Sequence, residues 1–135
     1  MLRVVVDMWG GRRSIDYLET RPDIARQKLG SYNFSGFLAP VLTAIDGRIK
    51  ATFPVGNGFL PRSVPPECDA HHFAPRAKAP TLMIGGRHDF IMPVETSQMP
   101  MLRFWGAPEK DKRLALFDTG HVAWPGPETI KEILA

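Results

Sequence analysis

The chain has 135 residues, a net charge of +3 and one cysteine. This length favours a single domain, and a hydrophobic content of 44% excludes a wholly disordered chain. No apolar run approaches the roughly 20 residues of a membrane-spanning helix, and no basic block favours binding to nucleic acid. The lone Cys68 excludes an internal disulfide. We therefore expect a cytoplasmic protein with neither a membrane nor a nucleic acid as partner.

Helix and strand patterns alternate along the sequence. Alternating apolar residues predict strands at 28–34 and 48–55, and compact apolar runs predict strands at 81–84 and 113–117. Helical spacing of apolar residues predicts helices at 15–20, 38–45, 93–105 and 127–134, the last with Ile130, Ile133 and Leu134 facing inward. A loop-rich stretch with a short turn near 69–73 fills 56–80.

This order is typical of a parallel sheet with helices on both faces. We expect one α/β domain over 1–135, with three layers and a mostly parallel sheet of about four strands. Right-handed crossovers bring the carboxyl ends of such strands to one edge, and that edge is where ligands bind. The residues directly after each strand are therefore the candidates for chemistry.

A serine, an acid and a histidine each follow a different predicted strand. Ser35 follows the first strand, Asp89 the third and His121 the fourth. α/β-Hydrolases use these three residue types in this chain order. A hydroxyl becomes a good nucleophile when an imidazole takes its proton, and a carboxylate orients and stabilises that imidazole. The three residues therefore suggest a catalytic triad.

Each of these residues taken alone has a structural interpretation. Ser35 could cap the helix that follows it, Asp89 could accept hydrogen bonds in the turn before Pro93, and His121 could be a loop histidine. Their joint order at three strand ends favours the triad. The neighbouring His71 and His72 fit no familiar zinc spacing, so we expect no metal.

Four segments resemble one family of enzymes. Residues 17–24 (YLETRPDI), 85–90 (GGRHDF), 95–98 (ETSQ) and 118–121 (DTGH) are similar to the C-terminal half of bacterial α/β-hydrolases. Within these, the segments look most like the dienelactone-hydrolase and prolyl-oligopeptidase-like esterase group, which includes esterase domains joined to serine/threonine protein kinases. The resemblance extends over almost the whole chain.

The resemblance implies a serine hydrolase that forms an acyl-enzyme on small-molecule carboxylic esters, and less readily on amides. Ser35, Asp89 and His121 would be the catalytic residues. The N–H of Gly36 would help to hold the oxyanion, and His72 and Trp124 would lie on the substrate side. The resemblance implies no metal and no organic cofactor.

The sequence departs from this family in two ways. The family surrounds its nucleophile with Gly-x-Ser-x-Gly, whereas this chain has Asn33 and Phe37 at the two glycine positions. A complete α/β-hydrolase also has about four earlier strands, so we expect a partial domain that is the C-terminal half. The alternative function is a truncated, inactive module for binding or assembly, with self-association through the exposed sheet edge.

Overall fold

The computed structural model describes residues 11–34, 38–61, 64–66, 69–121 and 126–134. The α-helices are α1 (Gly11–Thr20), α2 (Ala39–Ile45), α3 (Ala70–Phe73), α4 (Met99–Phe104) and α5 (Pro127–Leu134), and the strands are β1 (Gly30–Asn33), β2 (Ala51–Pro54), β3 (Thr81–Gly86) and β4 (Lys112–Phe117). Short 3₁₀ turns lie at Arg26–Lys28, Ala74–Arg76 and Glu109–Asp111, and a π-helical turn at Val94–Gln98 precedes α4.

The four strands form one parallel sheet in the order β1-β2-β3-β4. β3 and β4 pair along their full length, from Thr81 opposite Lys112 to Gly86 opposite Phe117. β2 and β3 pair over a shorter stretch, continued by a bridge between Val55 and Ile84. Because all strands run the same way, their carboxyl ends lie at one edge, as the sequence predicts.

Helices cover both faces of this sheet. On one face, α2, α3 and α4 surround a core that includes Met83, Met101 and the fully buried Trp105. On the other face, Ile133 of α5 packs against a cluster around Ile84, and Arg113 of β4 pairs with Glu132 of α5 at 2.6 Å. The molecule therefore has the predicted three layers.

α1 is attached to the sheet through a second apolar cluster and through an ion-pair network. Ile15 and Leu18 of α1 are buried against residues that include Leu42 of α2. On the polar side of α1, the guanidinium of Arg48 reaches Asp16 at 2.8 Å and Glu19 at 2.7 Å. Apolar packing and charge thus hold α1 in place together.

Two local predictions differ from the structure. The predicted helix at 93–105 begins as a π-helical turn, and only its second half is α-helical. The inward orientation predicted for the C-terminal helix is wrong at two positions, because Ile130 is 46% and Leu134 65% exposed. Among the described residues, no element covers that side of α5. In the described part of the chain, no helix is long and apolar enough to cross a membrane.

Candidate active site

The loops after β3 and β4 meet at the carboxyl edge of the sheet. Their strands end opposite each other at Gly86 and Phe117. Two backbone hydrogen bonds then join the loops: the N–H of Arg87 donates to the carbonyl of Phe117 at 2.9 Å, and the N–H of His88 donates to that of Thr119 at 3.0 Å. The loops that carry Asp89 and His121 are therefore held side by side.

These loops bring Asp89 and His121 into direct contact. The Nδ1 of His121 lies 2.8 Å from Oδ2 and 3.0 Å from Oδ1 of Asp89. The carboxylate side chain is fully buried, whereas the imidazole is 28% exposed. A carboxylate only accepts hydrogen bonds, so Nδ1 carries a proton and Nε2 of the neutral ring keeps its lone pair. Nε2 has no hydrogen-bond partner within the described residues.

Asp89 is held by its own loop as well. Its Oδ1 accepts hydrogen bonds from the backbone N–H of Ile91 at 2.9 Å and of Met92 at 2.8 Å. This is the turn role that the sequence allowed as an alternative for Asp89. The structure shows that the carboxylate bonds its own turn and contacts His121 at the same time. Its orientation toward the imidazole is therefore fixed by the turn.

Glycines allow the backbone at Gly120 and His121 to approach the sheet closely. Gly56 has a φ of +58°, and a Cβ there would lie 2.8 Å from the carbonyl oxygen of His121. A Cβ at Gly86 would overlap the carbonyl oxygen of Gly120. In the structure they provide the space that the segment carrying His121 occupies.

Asn57 is a polar residue of this edge that the sequence analysis did not single out. Its side chain is buried, and its Nδ2 donates to the carbonyls of Asn33 at 3.0 Å and Val55 at 2.9 Å. It therefore ties the end of β1 to the end of β2. Its position between two glycines, in Gly56-Asn57-Gly58, was the signal that could have identified it.

Three of the predicted site residues lie outside the described residues. These are Ser35, Gly36 and Trp124. Residues 35–37 connect the end of β1 to the start of α2, and residues 122–125 directly follow His121. The described end of β1, at Asn33, lies at the same sheet edge as the ends of β3 and β4.

The sixth predicted residue, His72, is exposed on α3, a helix that packs against α2. Its neighbour His71 stacks on Phe59 with ring centroids 3.7 Å apart, and its Nδ1 lies 2.8 Å from Asp69. The hydrogen bond from the backbone N–H of His71 lowers the pKa of Asp69. Within the described parts, no group of three or more histidines, cysteines or acids is placed to hold a metal ion.

Comparisons with known proteins identify the fold. In sequence, neither a family model nor a curated protein matches the chain. In structure, it is similar to 2,6-dihydroxy-pseudo-oxynicotine hydrolase (TM-score 0.67, 15% identity) and to an acetyl xylan esterase from Paenibacillus sp. R4 (TM-score 0.67, 20% identity). It is also similar to an acylaminoacyl peptidase from Pyrococcus horikoshii, with a TM-score of 0.63 and 16% identity.

These similarities extend over most of this chain but only part of each relative. They cover 82%, 90% and 84% of this chain, and 39%, 48% and 23% of the respective relatives. The chain therefore has the α/β-hydrolase fold over a four-stranded portion of that fold. It spans less than half the length of these relatives.

Proposed function

We propose that this chain belongs to a serine hydrolase that cleaves carboxylic esters through an acyl-enzyme. The observation that carries the proposal is the Asp89–His121 pair. The carboxylate of Asp89 is fully buried and contacts Nδ1 of His121 at 2.8 Å. Nε2 of His121 has no hydrogen-bond partner in the described part of the chain. An imidazole held in this way can accept a proton at Nε2, which is the role of the base in a Ser-His-Asp triad.

Ser35 is the proposed nucleophile. Its Oγ attacks the acyl carbon of the substrate while Nε2 of His121 removes the hydroxyl proton. Asp89 stabilises the imidazolium that forms, and the backbone N–H of Gly36 donates to the oxyanion. His121 then returns the proton to the leaving alcohol. A water molecule, activated by the same imidazole, releases the acid and regenerates Ser35.

The esterase assignment has support from the structural relatives and from chemistry. The names of two relatives describe a hydrolase and an esterase, and a third is a peptidase. An alcohol leaves a tetrahedral intermediate more easily than an amine, so an ester needs less help from the oxyanion donors than an amide. The narrower assignment, to the dienelactone-hydrolase and prolyl-oligopeptidase-like group with its kinase-linked members, remains part of this proposal. His72 and Trp124 stay predictions as substrate contacts.

Hydrolysis of p-nitrophenyl acetate by the purified chain tests the proposal. We expect Asp89→Asn and His121→Gln to lower kcat/KM by at least about 1,000-fold, because triad members act as a unit. His88→Gln is the matched control. His88 lies in the same loop as Asp89 but is 72% exposed and pairs with Asp118. An equal loss in all three variants, or no loss in His121→Gln, would overturn the proposed base.

The altered nucleophile motif, with Asn33 and Phe37 at the two glycine positions, favours a second candidate, an inactive module that acts in binding or assembly. Such a module would fold with a normal far-ultraviolet circular dichroism spectrum but would show no hydrolysis above that of His121→Gln. The same assay therefore separates the two candidates.

A further inference from the structure

A buried amide connects the two ends of the loop that carries Asp89. Gln98 has no exposed surface. Its Nε2 donates to the carbonyl of Met92 at 2.7 Å and to that of Gly86 at 3.3 Å. Gly86 is the last residue of β3, and Met92 lies directly after the turn that Asp89 caps. One side chain therefore holds the start and the end of this loop.

The π-helical turn places Gln98 in this position. The N–H of Gln98 donates to the carbonyl of Pro93 and that of Met99 to the carbonyl of Val94, each five residues back. Two consecutive polar residues, Ser97 and Gln98, are buried in this turn at 2% and 0% exposure. π-Helical turns are rare, and they occur frequently at functional sites.

Two features of the surroundings of Gln98 lower the stability of the fold. A Cβ at Gly85 would overlap Oε1 of Gln98, so a glycine occupies the interior of β3. Glycine in a strand weakens it. Oε1 of Gln98 is buried without a hydrogen-bond partner in the described part of the chain, and an unsatisfied buried carbonyl is unfavourable. An apolar side chain of similar size would avoid this cost but would lose the donor that holds the loop.

We propose that Gln98 is a positioning residue for the catalytic acid, an inference that rests on the function proposed for Asp89 and His121. Gln98 holds the carbonyl of Met92, and the N–H of the same residue donates to Oδ1 of Asp89. The hydrogen bond from Gln98 thus limits movement of the backbone that orients the carboxylate. The carboxylate then stays within hydrogen-bond distance of Nδ1 of His121.

Two variants test this by different routes. Gln98→Met keeps the length of the side chain but removes the donor, and Gly85→Ala displaces the unchanged amide by steric overlap. In both, we expect the downfield proton NMR signal of the His121 Nδ1–H to broaden or disappear. Where the chain hydrolyses esters, we also expect kcat to fall about 10- to 100-fold with little change in KM, since small misplacements of catalytic groups have effects of this size.

Trp105→Phe is the control for general loss of packing. Trp105 is 1% exposed and directly follows α4, the helix that Gln98 precedes. Its Nε1 donates to the carbonyl of Ala79. We expect this variant to melt at a lower temperature but to keep the His121 signal. If Gln98→Met does not fold, Gly85→Ala decides. An unchanged signal and kcat in a folded variant, or the same loss in Trp105→Phe, would overturn the positioning role.

The NMR measurement does not depend on hydrolysis. The parent chain could show the Nδ1–H signal of His121 and hydrolyse no ester, while Gln98→Met loses the signal. This result would support the positioning of Asp89 by Gln98 and contradict the proposed function. If the parent chain and folded Gln98→Met hydrolyse esters with equal kcat, the positioning role alone is contradicted.

Discussion

At the scale of single residues, His121 depends on neighbours that have no chemistry of their own. Its carboxylate partner is fixed by backbone N–H groups of Ile91 and Met92. Its backbone lies against Gly56, where any side chain would come too close. The orientation of His121 is in this way determined by a turn and by a glycine as much as by Asp89.

Gly56→Ala tests the contribution of this glycine. The added Cβ would lie 2.8 Å from the carbonyl oxygen of His121. Gly56 also has a φ of +58°, which residues other than glycine rarely adopt. We expect the free energy of unfolding to fall by about 1–3 kcal/mol, as measured by urea denaturation, and ester hydrolysis to fall with it.

Gly47→Ala is the matched control, because a Cβ there meets nothing within 4 Å and its φ is not positive. We expect this variant to keep the stability and activity of the parent chain. Equal losses in the two variants would show that the space beside His121 is unimportant.

At the scale of elements, one arginine joins the first helix to the turn before β2. Arg48 bonds Asp46 at 2.6 Å, in addition to Asp16 and Glu19 of α1. Asp46 is buried at 4% exposure. The hydrogen bond from the Arg48 guanidinium lowers the pKa of Asp46, and the same bond raises the pKa of Arg48. A buried carboxylate is stable here because the cation satisfies it.

The lowered pKa of Asp46 predicts the pH dependence of stability. The ionised carboxylate stabilises the folded chain at a pH above its unfolded pKa of about 3.9, and this contribution is lost as the pH falls through the lower folded value. We expect Arg48→Met to lower the midpoint of urea denaturation at pH 7, with a smaller difference from the parent near pH 3.

Arg113→Met serves as the comparison for Arg48→Met. It breaks the pair with Glu132, in which the two side chains are 58% and 36% exposed. Exposed pairs contribute little, so its effect should be smaller at pH 7 and less dependent on pH. An Arg48→Met difference that stays constant down to pH 3 would contradict the role given to Asp46.

At the scale of the whole molecule, the sheet and helices are a portion of a larger fold. The chain covers 39% and 48% of the first two relatives. Within the described residues, β1 has a neighbouring strand on one side only. Self-association through this edge remains a prediction.

The sequence predicted the features that depend on local patterns. Apolar alternation and runs located all four strands, and their order placed Asp89 and His121 at one edge. The sequence did not predict specific side-chain and backbone contacts, because no local pattern relates Gly56 to His121 or Gln98 to Met92. The apolar pattern of α5 predicted burial, but a pattern does not show whether a neighbouring element covers the helix, and Leu134 is exposed.

The most direct test of the central claim is covalent labelling with a fluorophosphonate, followed by tandem mass spectrometry. A triad that activates Ser35 predicts one adduct per chain, on Ser35, at a rate that His121→Gln strongly reduces and Ser35→Ala abolishes. A folded chain that forms no adduct, or a Ser35→Ala variant that is labelled as fast as the parent, would contradict it.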